Sequence, residues 1–408
     1  MSASPSRQDL PAKFGGTPVR TRFLHYAQPR LSDAEISSVV DTLRSGWLTT
    51  AGKTREFERA FREYVGSEHA VALNSCTAGL FLSLKVLDIG PGDEVLTPSF
   101  TFVATVNSIE HTGAKPVMID IEPGSWNIDL ALAEKHITTS TRAIMPVHVF
   151  GRPCDMDRLT SLASKYGLHI VQDCAHAIEA EWRTRNLGNY ADLACYSFYA
   201  TKNVTTGEGG MVATDNPDWA DRVRSLALHG LDKSAYDRYS AGGKAHYNVL
   251  QPGYKFNMPD IAAALGVEGL KLVEKRLERR TEIWEKYEAG LRDLPGLGLP
   301  AEPEPDTRHA RHIFAVTIDP EKAGMDRDEM IECLAAENIG TGIHFSPVHR
   351  FDYYRDRYGI SDSDLPVTAL AGSRIVSLPL TPFLSDEDVD DVIRAVRRIV
   401  LYRARVTC

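Results

Sequence analysis

Short apolar runs alternate with helical segments from about residue 70 to residue 214, and this alternation restricts the possible folds more than any other feature. Such a rhythm predicts parallel strands separated by helices. The predicted strands are Ala70–Leu73, Glu94–Thr97, Pro116–Ile119, Ala143–Val147, His169–Val171, Leu193–Ser197 and Met211–Thr214. The predicted intervening helices are Gly79–Val86, Phe102–Thr112, Leu130–His136 and Asp155–Tyr166. We therefore expect an α/β fold with a mainly parallel sheet wrapped by helices.

The rest of the chain predicts a second, smaller domain of α+β type. A capping box that begins at Ser32 predicts an early helix, and a long helical stretch, Pro259–Leu291, follows the sheet region. Beyond a linker rich in Pro and Glu, the predicted elements are Ile313–Ile318, Arg327–Glu337, Gly340–Phe345 and Asp386–Tyr402. We expect a flexible tail over 1–15, a large domain over 16–255 and a small C-terminal domain over 256–408.

Composition argues against several classes of protein. Of the 408 residues, 43% are hydrophobic and 25% are charged, and the formal net charge is -9. Because Lys and Arg are scattered, we expect no basic face for nucleic acid. No apolar run approaches the roughly 18 residues that a membrane span requires. The six cysteines form no C-x-x-C pair, which is typical of reduced thiols in a cytoplasmic protein and predicts neither a disulfide framework nor a metal site.

Polar residues that could bind a ligand or take part in catalysis follow three of the predicted strands. Asp173 follows one, Ser197 and Lys202 follow another, and the segment 74–78 follows a third. The carboxyl ends of parallel strands meet at one edge of a sheet, where ligands bind. We therefore expect these groups to lie close together.

A carboxylate and a lysine at such an edge can hold pyridoxal phosphate by its two ends. Lys202 can form a Schiff base with the aldehyde, and Asp173 can keep the pyridine nitrogen protonated. Taken alone, an isolated lysine is usually a surface charge, and an aspartate after a strand is often a helix N-cap. The glycines at 207, 209 and 210 favour the first interpretation, because they allow close backbone approach to a ligand.

Further residues are candidates for the rest of such a site. Thr77 and Ala78 open a helix after a strand, where free N–H groups suit a phosphate, and Ser197 and Asn257 are candidate donors to it. Phe102 is a candidate for stacking on the pyridine ring, although core packing is the default role of Phe.

Histidines and one lysine are candidates for contacts with the cofactor or the substrate. His176 can orient Asp173 or contact the phenolic oxygen of the cofactor, and a structural role is the alternative. The candidates for substrate contacts are His229, Lys255 and His344. For His344 a structural role is an equal alternative.

Five ordered motifs resemble those of the DegT/StrS family of sugar aminotransferases. They are PGDEV (91–95), PSFTFVAT (98–105), QDCAHA (172–177), SFYATKN (197–203) and GYKFNM (253–258). The likeness spans roughly Arg20 to the C-terminus. The segments MPVH (145–148), DCAHA (173–177) and GTGIHF (340–345) resemble in particular the nucleotide-sugar 4-aminotransferase branch, such as UDP-4-amino-4-deoxy-L-arabinose synthase.

This resemblance implies an aspartate-aminotransferase-like fold (PLP fold type I), pyridoxal phosphate as cofactor and a homodimer that shares its active sites across the interface. It implies that Lys202 is the Schiff-base lysine and that Asp173 is the partner of the pyridine nitrogen. The implied phosphate-binding positions are Thr77, Ala78 and Ser197. Asn257 matches a residue that the family sends across the dimer interface to the phosphate.

Two positions depart from the commonest pattern of the family. His176 stands where many members have Gln, although the arabinose branch also carries His. Phe102 stands where the arabinose enzyme has Trp, which leaves the substrate open. Relatives that turned to dehydration replace the lysine with His, so Lys202 favours amino transfer.

The sequence thus predicts a PLP-dependent aminotransferase that moves the amino group of L-glutamate to a nucleotide-linked keto sugar, with amination expected at C4. Amination at C3 or of a keto-cyclitol in an antibiotic pathway is the alternative, and a non-catalytic PLP-binding regulator is a further one. The Gly- and Tyr-rich segment 231–251 is predicted to roof the open cleft that two such different substrates require.

Overall fold

A computed structural model describes residues 10–232 and 246–407. Its helices are α1 (Asp33–Ser45), α2 (Gly52–Val65), α3 (Cys76–Val86), α4 (Val103–Thr112), α5 (Leu130–Lys135), α6 (Met156–Tyr166), α7 (Pro217–Ala227), α8 (Asp260–Lys271), α9 (Val273–Leu291), α10 (Pro320–Ala323), α11 (Arg327–Ala336), α12 (Asp352–Tyr358), α13 (Pro366–Arg374) and α14 (Asp386–Thr407). Its strands are β1 (His69–Leu73), β2 (Glu94–Pro98), β3 (Lys115–Ile119), β4 (Thr141–Ile144), β5 (His169–Asp173), β6 (Glu181–Trp182), β7 (Arg185–Asn186), β8 (Leu193–Ser197), β9 (Gly210–Thr214), β10 (Leu297–Gly298), β11 (Thr307–Arg308), β12 (Phe314–Ile318) and β13 (Ile375–Leu378).

The large sheet has the strand order β1-β9-β8-β5-β4-β2-β3. All neighbouring strands are parallel except β9, which runs antiparallel to both β1 and β8. Successive residues of β1 belong to two different cores, since Ala70 and Ala72 pack on one face of the sheet and Val71 and Leu73 on the other. Helices cover both faces, which explains why the strands read as continuous apolar runs. The predicted fold class is confirmed.

The small domain is built on the antiparallel sheet β10-β12-β13. Its core contains Trp284 and Tyr287 of α9 together with apolar residues of α11 and α14. The core of the large sheet, in contrast, includes Met258 and Val267. The predicted helical stretch 259–291 is therefore two helices that meet at Leu272, and we propose that the two domains divide there and not at residue 255.

Part of the predicted tail lies outside the described residues, which begin at residue 10. Residues 12–14 form a short 3-10 helix that docks on the small domain, where the Ala12 N–H donates to Glu337 Oε1 at 2.9 Å. Lys13 Nζ lies 2.5 Å from Glu332 Oε2. The N-terminal segment thus crosses the small domain before α1 begins.

The predicted strand at Gly340–Phe345 is wrong. Within it only Gly342 makes a ladder contact, an isolated antiparallel bridge to Ser377 of β13. The place beside β12 is taken by β13, which sequence patterning did not single out. The segment instead runs along the edge of the sheet towards the carboxyl ends of the large sheet.

Two contacts hold the small domain against that carboxyl edge. Asp120, just after β3, accepts hydrogen bonds from the N–H groups of Val367 (3.0 Å) and Thr368 (2.7 Å) at the start of α13. Ser99, just after β2, lies with its Oγ 2.8 Å from His349 Nδ1. These contacts fix the side chains of the small domain next to the polar residues that follow the parallel strands.

Candidate active site

A cavity of about 420 Å³ lies between the carboxyl edge of the large sheet and the small domain. Many of the predicted site residues share its wall, namely Thr77, Phe102, Asp173, His176, Ser197, Lys202 and His344. They come from elements far apart in the sequence, and the sheet brings them together as the strand-end argument predicts.

Asp173 is the last residue of β5 and is 6% exposed. Thr105 Oγ1 donates to its Oδ2 at 2.8 Å, and the Ala175 N–H donates to its Oδ1 at 3.1 Å. Burial raises the pKa of Asp173 above its ordinary value, and these two hydrogen bonds and the charge of Lys202 offset only part of that rise. No helix of the described residues begins at Asp173, so the N-cap interpretation does not apply. The carboxylate retains lone pairs for a cationic partner.

Lys202 lies in the loop that follows β8, with its N–H bonded to the carbonyl of Tyr199 at 2.9 Å. Desolvation by the surrounding walls lowers the pKa of Lys202 to about 8, although the charge of Asp173 acts in the opposite direction. An amine with this pKa is partly neutral near pH 7 to 8. It can therefore act as a nucleophile and as a proton acceptor.

The N-terminus of α3 forms another part of the wall. Ser75 caps the helix, since its Oγ accepts from the Ala78 N–H at 3.1 Å, and Thr77 lines the cavity. Gly210 of β9 approaches this turn so closely that a Cβ there would lie 2.3 Å from the carbonyl carbon of Ser75. The helix end and the hydroxyl of Ser197 together make a polar cradle that suits a phosphate. Ala78 does not line the cavity.

His176 is buried and carries its proton on Nε2 when neutral. Its Nδ1 accepts a hydrogen bond from the Phe150 N–H at 3.3 Å, which leaves Nε2 to hold the proton. Burial, helped by the charge of Lys202, lowers the pKa of His176 well below its ordinary value. The residue therefore offers a neutral hydrogen-bond donor at the cavity wall.

His312, which sequence analysis did not single out, stands beside His176 with ring centroids 4.5 Å apart. Its Nδ1 lies 2.8 Å from Asn203 Oδ1, and Asn203 Nδ2 donates to Glu179 Oε2 at 2.7 Å. Because the amide uses its nitrogen towards Glu179, its oxygen must accept, so the proton of His312 sits on Nδ1. Burial lowers the pKa of His312 well below its ordinary value. His312 Nε2 is thus an acceptor where His176 Nε2 is a donor.

A buried ion pair lies behind this histidine. Glu179 Oε1 is bonded to Arg280 Nη2, and Arg280 Nε donates to the carbonyl of Arg311 at 3.1 Å. Neither side chain of the pair is more than 2% exposed. Since Asn203 follows Lys202 directly, the ion pair also anchors the loop that carries the amine.

Phe102 and His344 both line the cavity. Phe102 is 61% exposed, and its ring centroid lies 6.4 Å from that of Phe345. His344 Nδ1 lies 2.9 Å from Ser377 Oγ, and its ring stacks on Tyr26 at 5.4 Å. The exposed ring of Phe102 is available for stacking on a ligand. Tyr26 reaches the cavity from the segment before α1, where the sequence gives no signal for a site residue.

Besides Ala78, three predicted residues do not line the cavity. His229 and Lys255 are exposed and do not line the cavity. Asn257 Nδ2 donates to Thr50 Oγ1 at 2.6 Å, and its Oδ1 is buried without a hydrogen-bond partner. Of the predicted roof over 231–251, residues 233–245 lie outside the described residues. In the described ranges we find no cluster of His, Cys, Asp and Glu that could hold a metal, and no helix long and apolar enough to cross a membrane.

The sequence model of the DegT/DnrJ/EryC1/StrS aminotransferase family matches residues 29–397. The chain belongs to this family. The protein is therefore a PLP-dependent transaminase of the sugar aminotransferase type, as predicted. The site fits this cofactor, because it offers an amine for the aldehyde, a carboxylate for the ring nitrogen and a cradle for the phosphate.

Known proteins resemble this aminotransferase over nearly their whole length. The spore coat polysaccharide biosynthesis protein SpsC of Bacillus subtilis is 47% identical over 382 residues, which are 93% of this chain and 98% of SpsC. The putative sugar aminotransferase Spr1654 of Streptococcus pneumoniae, solved in PMP and PLP forms, is similar in structure. Its PMP form has a TM-score of 0.87 and 34% identity, with 93% of this chain and 100% of that one covered.

A further solved structure, DesI in the presence of its TDP-sugar product, has a TM-score of 0.85 and 32% identity. The match covers 98% of each chain. The predicted family, cofactor and enzyme class are thus confirmed. The similarity to the arabinose branch in particular stays a prediction.

Proposed function

We propose that this aminotransferase moves the amino group of L-glutamate to a nucleotide-linked keto sugar, with amination at C4. The observation that carries the proposal is the meeting of Lys202 and Asp173 at one cavity. The nucleotide link is supported by DesI, a relative whose structure was obtained with a TDP-sugar product. Amination at C4 rests on the motifs MPVH, DCAHA and GTGIHF, and on no contact in the cavity.

We propose the following roles for the residues of the cavity. When bound, pyridoxal phosphate supplies an aldehyde that accepts the amino group and a ring that takes up electrons. Asp173 holds the ring nitrogen, Thr77 and Ser197 hold the phosphate, and Phe102 packs on the ring. His176 Nε2 donates to an oxygen acceptor beside Lys202.

Lys202 is proposed to move the proton. Its neutral Nζ takes the proton from Cα of the amino donor, which the lowered pKa of about 8 makes feasible near neutral pH. Of the glycines at 207, 209 and 210, Gly209 lines the same cavity as Lys202. His312 Nε2 supplies a hydrogen-bond acceptor on the same wall, which suits an amine or a hydroxyl and repels a carboxylate.

The active unit is proposed to be a homodimer. Helix α1 buries Glu35 and Thr42, whereas Ile36 and Leu43 on its outer face are 49% and 51% exposed. An apolar stripe of this kind on a surface helix is typical of a protein interface. We further propose that Asn257, whose Oδ1 lacks a partner in the described residues, completes the phosphate site of a second copy. A monomer in sedimentation experiments at micromolar concentration would contradict this.

The substrate is tested by a panel of nucleotide-linked 4-keto and 3-keto sugars and a keto-cyclitol, each with L-glutamate. We expect an amino sugar from a 4-keto member and the release of 2-oxoglutarate. Product formed only from a 3-keto sugar or a keto-cyclitol would establish the alternative. The Lys202→Ala protein serves as the blank for the panel.

A further inference from the structure

The carboxylate of Asp173 is held by a short chain of hydroxyl groups that begins in the loop after β2. Thr105 Oγ1 lies 2.8 Å from Asp173 Oδ2, 2.8 Å from Thr101 Oγ1 and 3.1 Å from the carbonyl of Phe102. Both threonines are buried, at 0% and 1% exposed. The chain is therefore screened from bulk water.

The direction of the hydrogen bonds follows from counting protons. The hydroxyl of Thr105 has one proton to donate. Of its three neighbours, the carboxylate of Asp173 and the carbonyl of Phe102 can only accept, whereas the hydroxyl of Thr101 can also donate. The carboxylate is the closer and the charged acceptor, so it takes the proton. Thr101 Oγ1 has no other hydrogen bond within the described ranges, and it donates to Thr105 Oγ1.

We propose that Thr105, oriented by Thr101, is a positioning residue that keeps Asp173 ionised and aimed at the ring nitrogen of the cofactor. A buried carboxylate that lacks donors tends to take up a proton, and a neutral carboxyl cannot hold a protonated pyridine nitrogen. Thr105 and the Ala175 N–H each satisfy one oxygen of the carboxylate. The remaining lone pairs are left for the cofactor.

The same segment also carries Phe102, the aromatic residue of the cavity wall. Phe102 stands between the two threonines in sequence, directly before α4, and lines the cavity. Thr105 donates its hydroxyl proton to Asp173, and its backbone N–H donates to the carbonyl of Phe102 at 3.2 Å. These two hydrogen bonds tie the carboxylate and the residue that carries the aromatic ring to one helix start. We therefore expect loss of the hydroxyl at 105 to weaken mainly the interaction of Asp173 with the ring nitrogen.

The test compares two ligands that differ in one atom. Apoprotein is titrated with pyridoxal phosphate and with 1-deazapyridoxal phosphate, in which the ring nitrogen is replaced by CH, and the ratio of the two dissociation constants is recorded. The inference rests on the proposed role of Asp173. In Asp173→Asn the preference for pyridoxal phosphate is therefore expected to vanish.

Thr105→Val removes the hydroxyl at nearly constant shape. We expect it to weaken binding of pyridoxal phosphate roughly tenfold or more, the size of a hydrogen bond to a charged group, and to leave the deaza analogue nearly unaffected. Thr101→Val is expected to lower the preference less, and Thr105→Ser to retain it. Thr112→Val serves as the matched control, because it removes a buried hydroxyl from the same helix that donates to the carbonyl of Ile109 and accepts from the N–H of Ala114.

The possible results separate the proposals. Equal weakening of both ligands by Thr105→Val would show that Thr105 only supports the fold, and it would overturn the inference. An unchanged ratio in Thr101→Val would overturn the part assigned to Thr101. If Asp173→Asn keeps the preference, the role of Asp173 itself fails, whatever Thr105 does.

Discussion

Asp173 and Lys202 meet at one cavity because the strand that Asp173 ends and the strand that precedes Lys202 are hydrogen-bonded neighbours. Asp173 ends β5 and is the register partner of Cys195 in β8, and the loop after β8 carries Lys202. Their separation is therefore fixed by the sheet and by a single loop. A rigid frame of this kind is what a cofactor held at two ends requires.

The lowered pKa of Lys202 predicts how apoprotein captures pyridoxal phosphate. Only the neutral amine attacks the aldehyde, and the folded protein releases the proton near pH 8, below the ordinary value of 10.5. The capture rate, followed by visible absorbance in stopped flow, should therefore rise with pH and level off above about pH 8 to 9. A rate that continues to climb towards pH 10.5 would mean that the cavity leaves the amine unperturbed.

The buried pair Glu179–Arg280 is expected to matter greatly for stability. Arg280→Met leaves the buried carboxyl of Glu179 without its cation, which costs about 3–5 kcal/mol in the free energy of unfolding. The double variant Glu179→Leu/Arg280→Met should recover much of this loss, since no charge is then stranded. Denaturant unfolding measures both.

Arg355 provides the matched control for that experiment. It pairs on the surface with Asp352 and Asp356 and is 53% exposed. Arg355→Met is expected to change the free energy of unfolding by less than about 1 kcal/mol. Equal losses in Arg280→Met and Arg355→Met would contradict the stabilising role of the buried pair.

The two neighbouring histidines are expected to be neutral and of opposite tautomer. Burial lowers the pKa of both, so neither should gain a second proton as the pH falls from 8 to 6. Nitrogen-15 NMR of histidine-labelled apoprotein should place the proton on Nε2 in His176 and on Nδ1 in His312. Signals are assigned with His176→Gln and His312→Gln, and an imidazolium signal from either at pH 6 would refute the prediction.

Asp120 is predicted to contribute both to the free energy of unfolding and to the position of the small domain at the cavity. It accepts from two N–H groups of α13 across the domain boundary, and Asp120→Ala should cost about 1–2 kcal/mol and raise the KM of the amino donor. Asp129 accepts from the N–H groups of Ala131 and Leu132 in the same manner, but entirely within the large domain. Asp129→Ala should lose similar stability at unchanged KM, and a KM that rises equally in both would argue against coupling through the domain contact.

Much of the large domain could be predicted from the sequence because its signals are local. The parallel strands are short apolar runs between helices, and the capping box at Ser32 forms as predicted, with Ser32 Oγ accepting from the Glu35 N–H. Residues at strand ends could be assigned to one edge because parallel strands share their direction. Asp173, Lys202, Thr77 and Ser197 were accessible by this argument.

The parts that escaped prediction depend on contacts between distant segments. His312 and Tyr26 reach the cavity only because the small domain and the N-terminal segment pack against the large sheet. Neither residue lies in a sequence motif that indicates a site. Gly340–Phe345 has a strand-like composition, yet β13 occupies the neighbouring position on the small sheet. The predicted single helix is likewise divided at Leu272 because α8 packs in the core of the large sheet and α9 packs in the core of the small domain.

The identity of the lysine that holds pyridoxal phosphate is the central claim. Enzyme loaded with the cofactor is reduced with borohydride, digested and analysed by mass spectrometry. We predict one cofactor per chain, attached to Lys202, and none in Lys202→Ala treated in the same way. Cofactor fixed to another lysine, or an unlabelled Lys202 peptide from fully active enzyme, would contradict the account.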